Sequence, residues 1–348
     1  MQPVKIQNKL IGNDYPTFIM AEAGVNHNGS LKLAKKLVDV AVKAGVDAVK
    51  FQTYTTENVA IENANIADYA KKSIGKSMKQ CEMLKKYEFY FDDFLILKKY
   101  CDKKKIIFLS TPHSFDAIDF LDEIVPAYKI GSGDITNIPA LKHAAKKGKP
   151  MILGTGMSNM NEVKAAIGAV KSVGNDKVIL LHCTTNYPCE LNEVNLRAMQ
   201  TLQDKLGCLV GYSDHTLGTI VPVMAVSLGA VVIEKHFTID RDLPGPDHKA
   251  SLIPDELKKM VKDIRHAEKA LGSFEKKPTE SEIKIMNIVR KSVVANKEIK
   301  KGTKISRNML DIKRPGIGIK PEKIDDIIGR IALKDIKKDE LIKWRQVR

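Results

Sequence analysis

The sequence is short of several residue types, and each shortage removes a class of protein. Tryptophan occurs once, at Trp344, and aromatic residues make up 6% of the 348 positions. The chain therefore has few stacking platforms of the kind that hold bases beside a basic groove. Five cysteines (Cys81, Cys101, Cys183, Cys189, Cys208) are odd in number and follow neither metal-site nor disulfide-framework spacing. Free, mostly buried thiols are expected. No apolar stretch approaches the roughly 20 residues that cross a bilayer. The first ten residues alternate polar and apolar side chains and lack the continuous apolar core of a signal peptide. A cytoplasmic protein without membrane attachment is expected. No G-x-G-x-x-G follows the first apolar run, which ranks an open dinucleotide-binding sheet low.

Positive charge, by contrast, is abundant: 57 basic against 42 acidic residues give a net charge of +15. The lysines are spread through helical segments such as Lys142-His143-Ala144-Ala145-Lys146-Lys147 and form no nucleic-acid motif. They read as a solvated surface that also favours anionic substrates, with no nucleic acid as partner.

The organisation is repetitive. Eight apolar runs, at 17–23, 48–54, 106–111, 127–132, 151–155, 178–183, 209–214 and 231–237, alternate with helix-period segments such as 31–44, 114–123, 161–173 and 218–228. Continuous Val/Ile/Leu runs suit parallel strands covered on both faces. Eight strand–helix units match the size of a (β/α)8 barrel. Residues 4–11, followed by Gly12-Asn13-Asp14, read as a short hairpin across the barrel floor. The predicted domains are a barrel over 1–272, a linker over 273–286 and a small β-rich domain over 287–348.

Each apolar run ends in polar side chains: Glu22, Lys50 with Gln52, Ser110-Thr111, Lys129 with Ser132, Thr155, Thr184-Thr185, Ser213 with His215, and Glu234 with His236. Barrel enzymes place chemistry at this end. Because side chains alternate faces, Lys50 shares a face with Gln52, Ser213 with His215, and Glu234 with His236. Lys129 and Ser132 differ in parity, so a bend at Gly131 or Gly133 is needed to bring them together. His215 and His236, on neighbouring strands without nearby thiolates, suit Mn²⁺, Mg²⁺ or Co²⁺ better than structural zinc; the alternative is a pair of ordinary core histidines. Lys50 and Lys129, with Thr111, Ser132 and Ser213, suit an anionic ligand such as a phosphate. Barrel salt bridges or a Schiff-base lysine are the other readings. His27 and His248 lie in dense polar motifs and are further candidates.

These motifs resemble the sialic acid synthases. They run in order along the chain as Ala21-Glu22-Ala23-Gly24-Val25-Asn26-His27-Asn28-Gly29-Ser30, Lys50-Phe51-Gln52-Thr53, Ser110-Thr111-Pro112, Lys129-Ile130-Gly131-Ser132-Gly133-Asp134, Gly154-Thr155-Gly156-Met157, His182-Cys183-Thr184-Thr185-Asn186-Tyr187-Pro188, Gly211-Tyr212-Ser213-Asp214-His215-Thr216, Glu234-Lys235-His236-Phe237-Thr238 and Gly245-Pro246-Asp247-His248. Ser292-Val293-Val294-Ala295 and Lys313-Arg314-Pro315-Gly316 resemble that family's antifreeze-like (SAF) domain.

The resemblance implies a TIM barrel plus SAF domain in a domain-swapped homodimer, and condensation of phosphoenolpyruvate with an N-acylated mannosamine-type sugar such as N-acetylmannosamine. It implies that His215 and His236 hold the metal, with Mn²⁺ foremost, and that Lys50, Thr111, Lys129, Ser132, Thr185 and Ser213 bind phosphoenolpyruvate. Gln52, Tyr187, Asp247 and Arg314 would meet the sugar, Arg314 from the partner subunit. Glu22, which also faces the sugar, and Asp134 would act at the reacting centre; Asp134 stands where many relatives carry Glu. Gly154 stands where many have serine. Ile288-Val289-Arg290, Asn192-Glu193-Val194-Asn195-Leu196 and Asp247-His248-Lys249-Ala250-Ser251-Leu252 look more like the legionaminic acid branch, which uses 2,4-diacetamido-2,4,6-trideoxymannose. The pseudaminic branch fits worse, because Gly131-Ser132-Gly133 is intact. A Schiff-base pyruvate aldolase and a non-catalytic sugar- or ice-binding protein are the rival classes.

Overall fold

The computed structural model describes residues 1–67, 70–71 and 78–348. Eight parallel strands follow the expected apolar runs: β3 (Phe18–Gly24), β4 (Ala48–Thr53), β5 (Ile107–Pro112), β6 (Tyr128–Ile130), β7 (Met151–Gly154), β8 (Val178–His182), β9 (Leu209–Asp214) and β10 (Val232–His236). Their ladder runs β5-β4-β3-β10-β9-β8-β7-β6. β5 and β6, the two ends of that ladder, lie side by side and close the ring. Helices follow the strands, among them Leu31–Ala44, Phe115–Asp122, Met160–Lys171, Ile220–Ser227 and Pro254–Leu271. The first has a local reason for each end. Ser30 accepts a hydrogen bond from the Leu33 N–H, and Gly45 closes the helix at φ 80°.

Strand parity splits the barrel into two cores. Outward residues such as Ile19, Val49, Phe51, Phe108, Leu180 and Ile233 pack on the helices. Inward residues lower in the barrel (Phe18, Met20, Ala48, Ile107, Leu109, Ile152, Ile179, Leu209, Val232) form a second apolar core. The expected hairpin is present as β1 (Val4–Ile6) paired with β2 (Lys9–Ile11), and Val4, Ile6 and Ile11 join this inner core. The floor is thus apolar, so inward polar groups concentrate at the C-terminal rim.

One charged side chain faces the other way. Lys235 is fully buried outside the barrel, 2.5 Å from Asp214 and hydrogen-bonded to the Thr216 carbonyl. It ties the end of β9 to β10, between the two histidines. Burial lowers the Lys235 pKa despite the Asp214 carboxylate.

The chain divides into two compact units, Met1–Gly272 and Ser273–Arg348. In the second unit β11 (Ser292–Ala295) pairs antiparallel with β12 (Leu310–Lys313) over a core that includes Val293, Ile299, Ile305, Ile327, Ile336 and Ile342. The segment read as a linker, 273–286, includes most of a helix, Glu280–Val289. Thr279 caps it by accepting from the Glu282 N–H, a capping box placed among residues read as turn chemistry. No described helix is long and apolar enough to cross a membrane.

Removing one member of a buried ion pair leaves the other charge stranded, at a cost of about 3–5 kcal/mol. Lys235→Met is expected to destabilise the barrel by about that amount, read from urea unfolding, and pairing it with Asp214→Leu should recover most of the loss.

Candidate functional site

The C-terminal ends of the strands surround a cavity of about 170 Å³. Eleven predicted site residues line it: Glu22, Lys50, Gln52, Thr111, Lys129, Ser132, Thr185, Tyr187, Ser213, His215 and His236. Glu234 and His113 join them. β6 stops at Ile130 and a 3₁₀ turn, Ser132–Asp134, brings Ser132 to the rim. This is the bend that the parity of Lys129 and Ser132 required, and neither Gly131 nor Gly133 adopts a positive φ to make it.

Charge dominates the cavity floor. Lys50 Nζ lies 2.7 Å from Glu22 and 3.3 Å from Glu234, while Lys129 Nζ lies 3.1 Å from Glu234. Lys50 also donates to Thr111 Oγ1 at 2.8 Å, and Gln52 donates to Glu22 at 3.2 Å. Burial raises the Glu22 carboxyl above its ordinary range; Lys50 pulls against the shift and Glu234 adds to it. Burial also presses on Glu234, but Lys129 and Lys50 outweigh it and hold that carboxylate well below its usual range. For Lys129 burial works against the ammonium, and Glu234 foremost overcomes it, so its pKa is raised. Two ammonium groups thus face one carboxylate held below its usual range and one raised above it. The barrel salt bridges weighed as an alternative reading are present and pair both lysines.

Hydroxyls line the same cavity. Thr185 Oγ1 is buried and makes no hydrogen bond among the described residues. A Cβ at Gly156 would lie 2.2 Å from it, so a bare backbone is needed there. The Gly156 N–H donates to Ser132 Oγ at 3.0 Å, beside Cys183. A Cβ at Gly154 would stand 2.9 Å from Ser132 Oγ, so a serine at this position would crowd that hydroxyl.

The imidazoles sit at one side of the mouth. The ring centroids of His215 and His236 are 5.7 Å apart, and Tyr187 packs on both. His215 Nδ1 lies 2.6 Å from the Thr184 carbonyl and donates to it, so Nε2 carries the free lone pair. Burial lowers both pKa values, and the neighbouring His215 lowers that of His236 further. His236 Nδ1 is buried without a hydrogen bond, with Asp247 at 3.9 Å. Two neutral rings, one of them with an orphaned nitrogen, fit a cation-binding pair. Among the described residues no cluster of three His, Cys, Asp or Glu could hold a metal, so the other positions would fall to water or substrate.

Three predicted site residues stand apart from the cavity wall. Asp247 is buried just behind His236, and burial raises its pKa to about 6. Asp134 sits behind His113, whose Nδ1 it meets at 3.1 Å. Arg314 is exposed in the second unit. His27 and His248 do not line the cavity either. His27 stacks on Phe89 at 3.9 Å, and His248 bridges Thr238 and Asn28. The sequence reading placed Glu234 at the rim with His236 but gave it no role, and it missed His113, although parity with Thr111 placed that residue on the inner face.

This geometry can be set beside known proteins. Residues 37–276 match the NeuB family and residues 290–348 the SAF domain. The chain belongs to the NeuB family. It is 46% identical over 341 residues to the N,N'-diacetyllegionaminic acid synthase of Legionella pneumophila, covering 97% of this chain and 96% of that one. To the human N-acetylneuraminate-9-phosphate synthase it is 37% identical over 337 residues, covering 95% and 93%. The crystal structure of N-acetylneuraminic acid (sialic acid) synthetase from Leptospira borgpetersenii, in complex with citrate, superposes with a TM-score of 0.72 at 38% identity, covering 81% of this chain and 94% of that one. The protein is a NeuB-family synthase of the sialic acid synthase type, built as a barrel followed by a SAF domain.

Burial holds His27 at a pKa of about 3, with His248 adding to the shift, and burial holds His248 at about 4. An unfolded chain takes up protons on histidine below about 6.5, so the unfolded state gains protons first and stability falls as pH drops from there towards 4. The melting temperature should decline over that window, and His248→Gln should make the decline shallower.

Proposed function

We propose that this protein condenses phosphoenolpyruvate with an acetamido sugar aldehyde to give a nine-carbon acidic sugar and phosphate. The observation that carries the reading is the single cavity in which Lys50, Lys129, Thr111, Ser132, Thr185 and Ser213 stand beside His215 and His236. In this reading the ammonium and hydroxyl groups seat the phosphate and carboxylate of phosphoenolpyruvate. Gln52 and Tyr187 from the wall, Asp247 behind His236, and Arg314 of a second copy orient the sugar. His215 and His236 would hold a divalent cation, Mn²⁺ foremost with Mg²⁺ or Co²⁺ as alternatives, whose chemistry is Lewis-acid polarisation of a carbonyl oxygen. The enol-ester methylene attacks the aldehyde carbon, and water then adds at the carbon bearing the phosphate. Glu22, with its pKa raised by burial, can carry a proton near the reacting atoms at neutral pH.

The preferred sugar in this proposal is 2,4-diacetamido-2,4,6-trideoxymannose. Support comes from the diacetyllegionaminic acid synthases of Legionella pneumophila and Campylobacter jejuni, at 46% and 47% identity, against 37% for the human neuraminate-9-phosphate synthase. N-acetylmannosamine is the second reading, supported by the likeness to the Leptospira synthetase. A Schiff-base aldolase is disfavoured: Lys129 has a raised pKa and Lys50 sits 2.7 Å from a carboxylate, whereas an imine-forming lysine needs a free amine.

Phosphate release from phosphoenolpyruvate should require both an acetamido sugar and Mn²⁺, with the product identified by mass. Chelator should abolish turnover and added Mn²⁺ should restore it; release that persists in chelator overturns the metal assignment. Turnover with pyruvate in place of phosphoenolpyruvate, trapped by borohydride, would instead establish the aldolase.

The proposal includes a homodimer in which Arg314 serves the other subunit's cavity. His236→Ala and Arg314→Ala homodimers should each lose at least about 10²-fold in kcat/KM. Co-expressed heterodimers carrying one change per subunit should regain about half of wild-type activity per dimer, because one of the two cavities is intact, whereas no recovery would place Arg314 in its own subunit's site.

A further inference from the structure

Asp134 is, with Glu22, one of the two carboxylates that the family resemblance places at the reacting centre, yet it does not line the cavity. His113 does, beside Thr111, Lys50 and Ser132. Its place is set by the backbone. β5 ends at Pro112, the His113 N–H donates to the Thr53 carbonyl at 3.1 Å, and parity keeps His113 on the inward side with Thr111. Asp134, at the end of the 3₁₀ turn after β6, approaches from behind, with Oδ2 3.1 Å from His113 Nδ1. Both side chains keep about a quarter of their surface, 25% and 28%, so water can reach the pair. The Tyr54 ring meets the imidazole edge-on at 6.3 Å between centroids. A carboxylate on Nδ1 fixes that nitrogen as the N–H and leaves the Nε2 lone pair free. An Asp–His arrangement of this kind is how a general base is oriented.

We propose that His113 Nε2, rather than the Asp134 carboxylate, takes a proton from the water that adds at the carbon bearing the phosphate and returns it to the departing phosphate, and that Asp134 is a positioning residue acting through it. This rests on the condensation reading above. As the carbon–carbon bond forms, the π pair of the enol ester goes into it and the carbonyl π pair moves to the sugar oxygen. Water brings two protons to the phosphate-bearing carbon. His113 takes the first as the new O–C bond forms, and returns it to the phosphate oxygen that departs with the C–O bonding pair. The second leaves the new hydroxyl as the ketone forms and balances the former aldehyde oxygen. No further reactant is needed. Asp134 from the turn after β6 meets the imidazole directly, and the other titratable groups lining the same cavity are Glu22, Lys50, Lys129, Glu234, His215 and His236 from β3, β4, β6, β10 and the end of β9.

The test uses the full-length enzyme with Mn²⁺, phosphoenolpyruvate and the preferred sugar. His113→Gln should lower kcat by about 10²-fold while KM for phosphoenolpyruvate stays within about three-fold. Asp134→Asn should lower kcat by about ten-fold alone and cause no further loss in the His113→Gln background. Asp134→Glu, which keeps a carboxylate for Nδ1, should recover most of that kcat, and KM for phosphoenolpyruvate should stay within about three-fold in both variants. The proposal is overturned if His113→Gln keeps kcat within about two-fold of wild type, or if Asp134→Asn costs the same in both backgrounds. Wild-type enzyme that releases no phosphate with either sugar would overturn the condensation itself, a separate failure read from a separate sample. Should His113→Gln not fold, the Asp134 pair decides the question: loss of kcat in Asp134→Asn with no recovery in Asp134→Glu overturns the proposal.

Discussion

Two lysines and two glutamates share the interior of one barrel, and that arrangement constrains everything at its rim. An isolated charge in such a place would cost several kcal/mol after relaxation. Lys50 between Glu22 and Glu234, with Lys129 on the far side of Glu234, keeps each charge in company. The four come from β3, β4, β6 and β10, so the network exists only when the ring has closed in the right register. A slip of one residue in any of these strands would send a charged group outward into the helical layer.

The same network sets the character of the cavity. Glu234 is committed to the ionised form by two ammonium groups, while Glu22 is pushed towards protonation. The hydroxyls of Thr185, Ser132 and Ser213 line the same cavity. Burial lowers the pKa values of His215 and His236 beside them. The Lys235–Asp214 pair, outside the barrel, anchors the strand ends that carry the two rings.

Much of this was legible along the chain. The run at 17–23 became β3, and 48–54 became β4, because buried parallel strands need apolar residues on both faces and the periodicity shows it. Glu22, Lys50, Gln52, Thr111 and the two histidines were legible as site residues because they interrupt apolar runs at one end. The helix Glu280–Val289 was less legible, since its capping box lay in a polar stretch that reads equally well as a linker. Asp134 was assigned to the reacting centre by motif. In the fold it lies one residue's depth behind His113, because the turn 132–134 carries it round the end of β6.

The sequence by itself determined the number and order of the strands, the polar end of the barrel and the family, since these depend on residue types and their spacing. Only the tertiary structure decided which lysine meets which carboxylate, that Glu234 is the shared partner, and that His113 stands between Asp134 and the cavity. Those relations join residues up to about two hundred positions apart, and they are fixed by ring closure and strand register. No local pattern in the chain encodes a distance across the barrel.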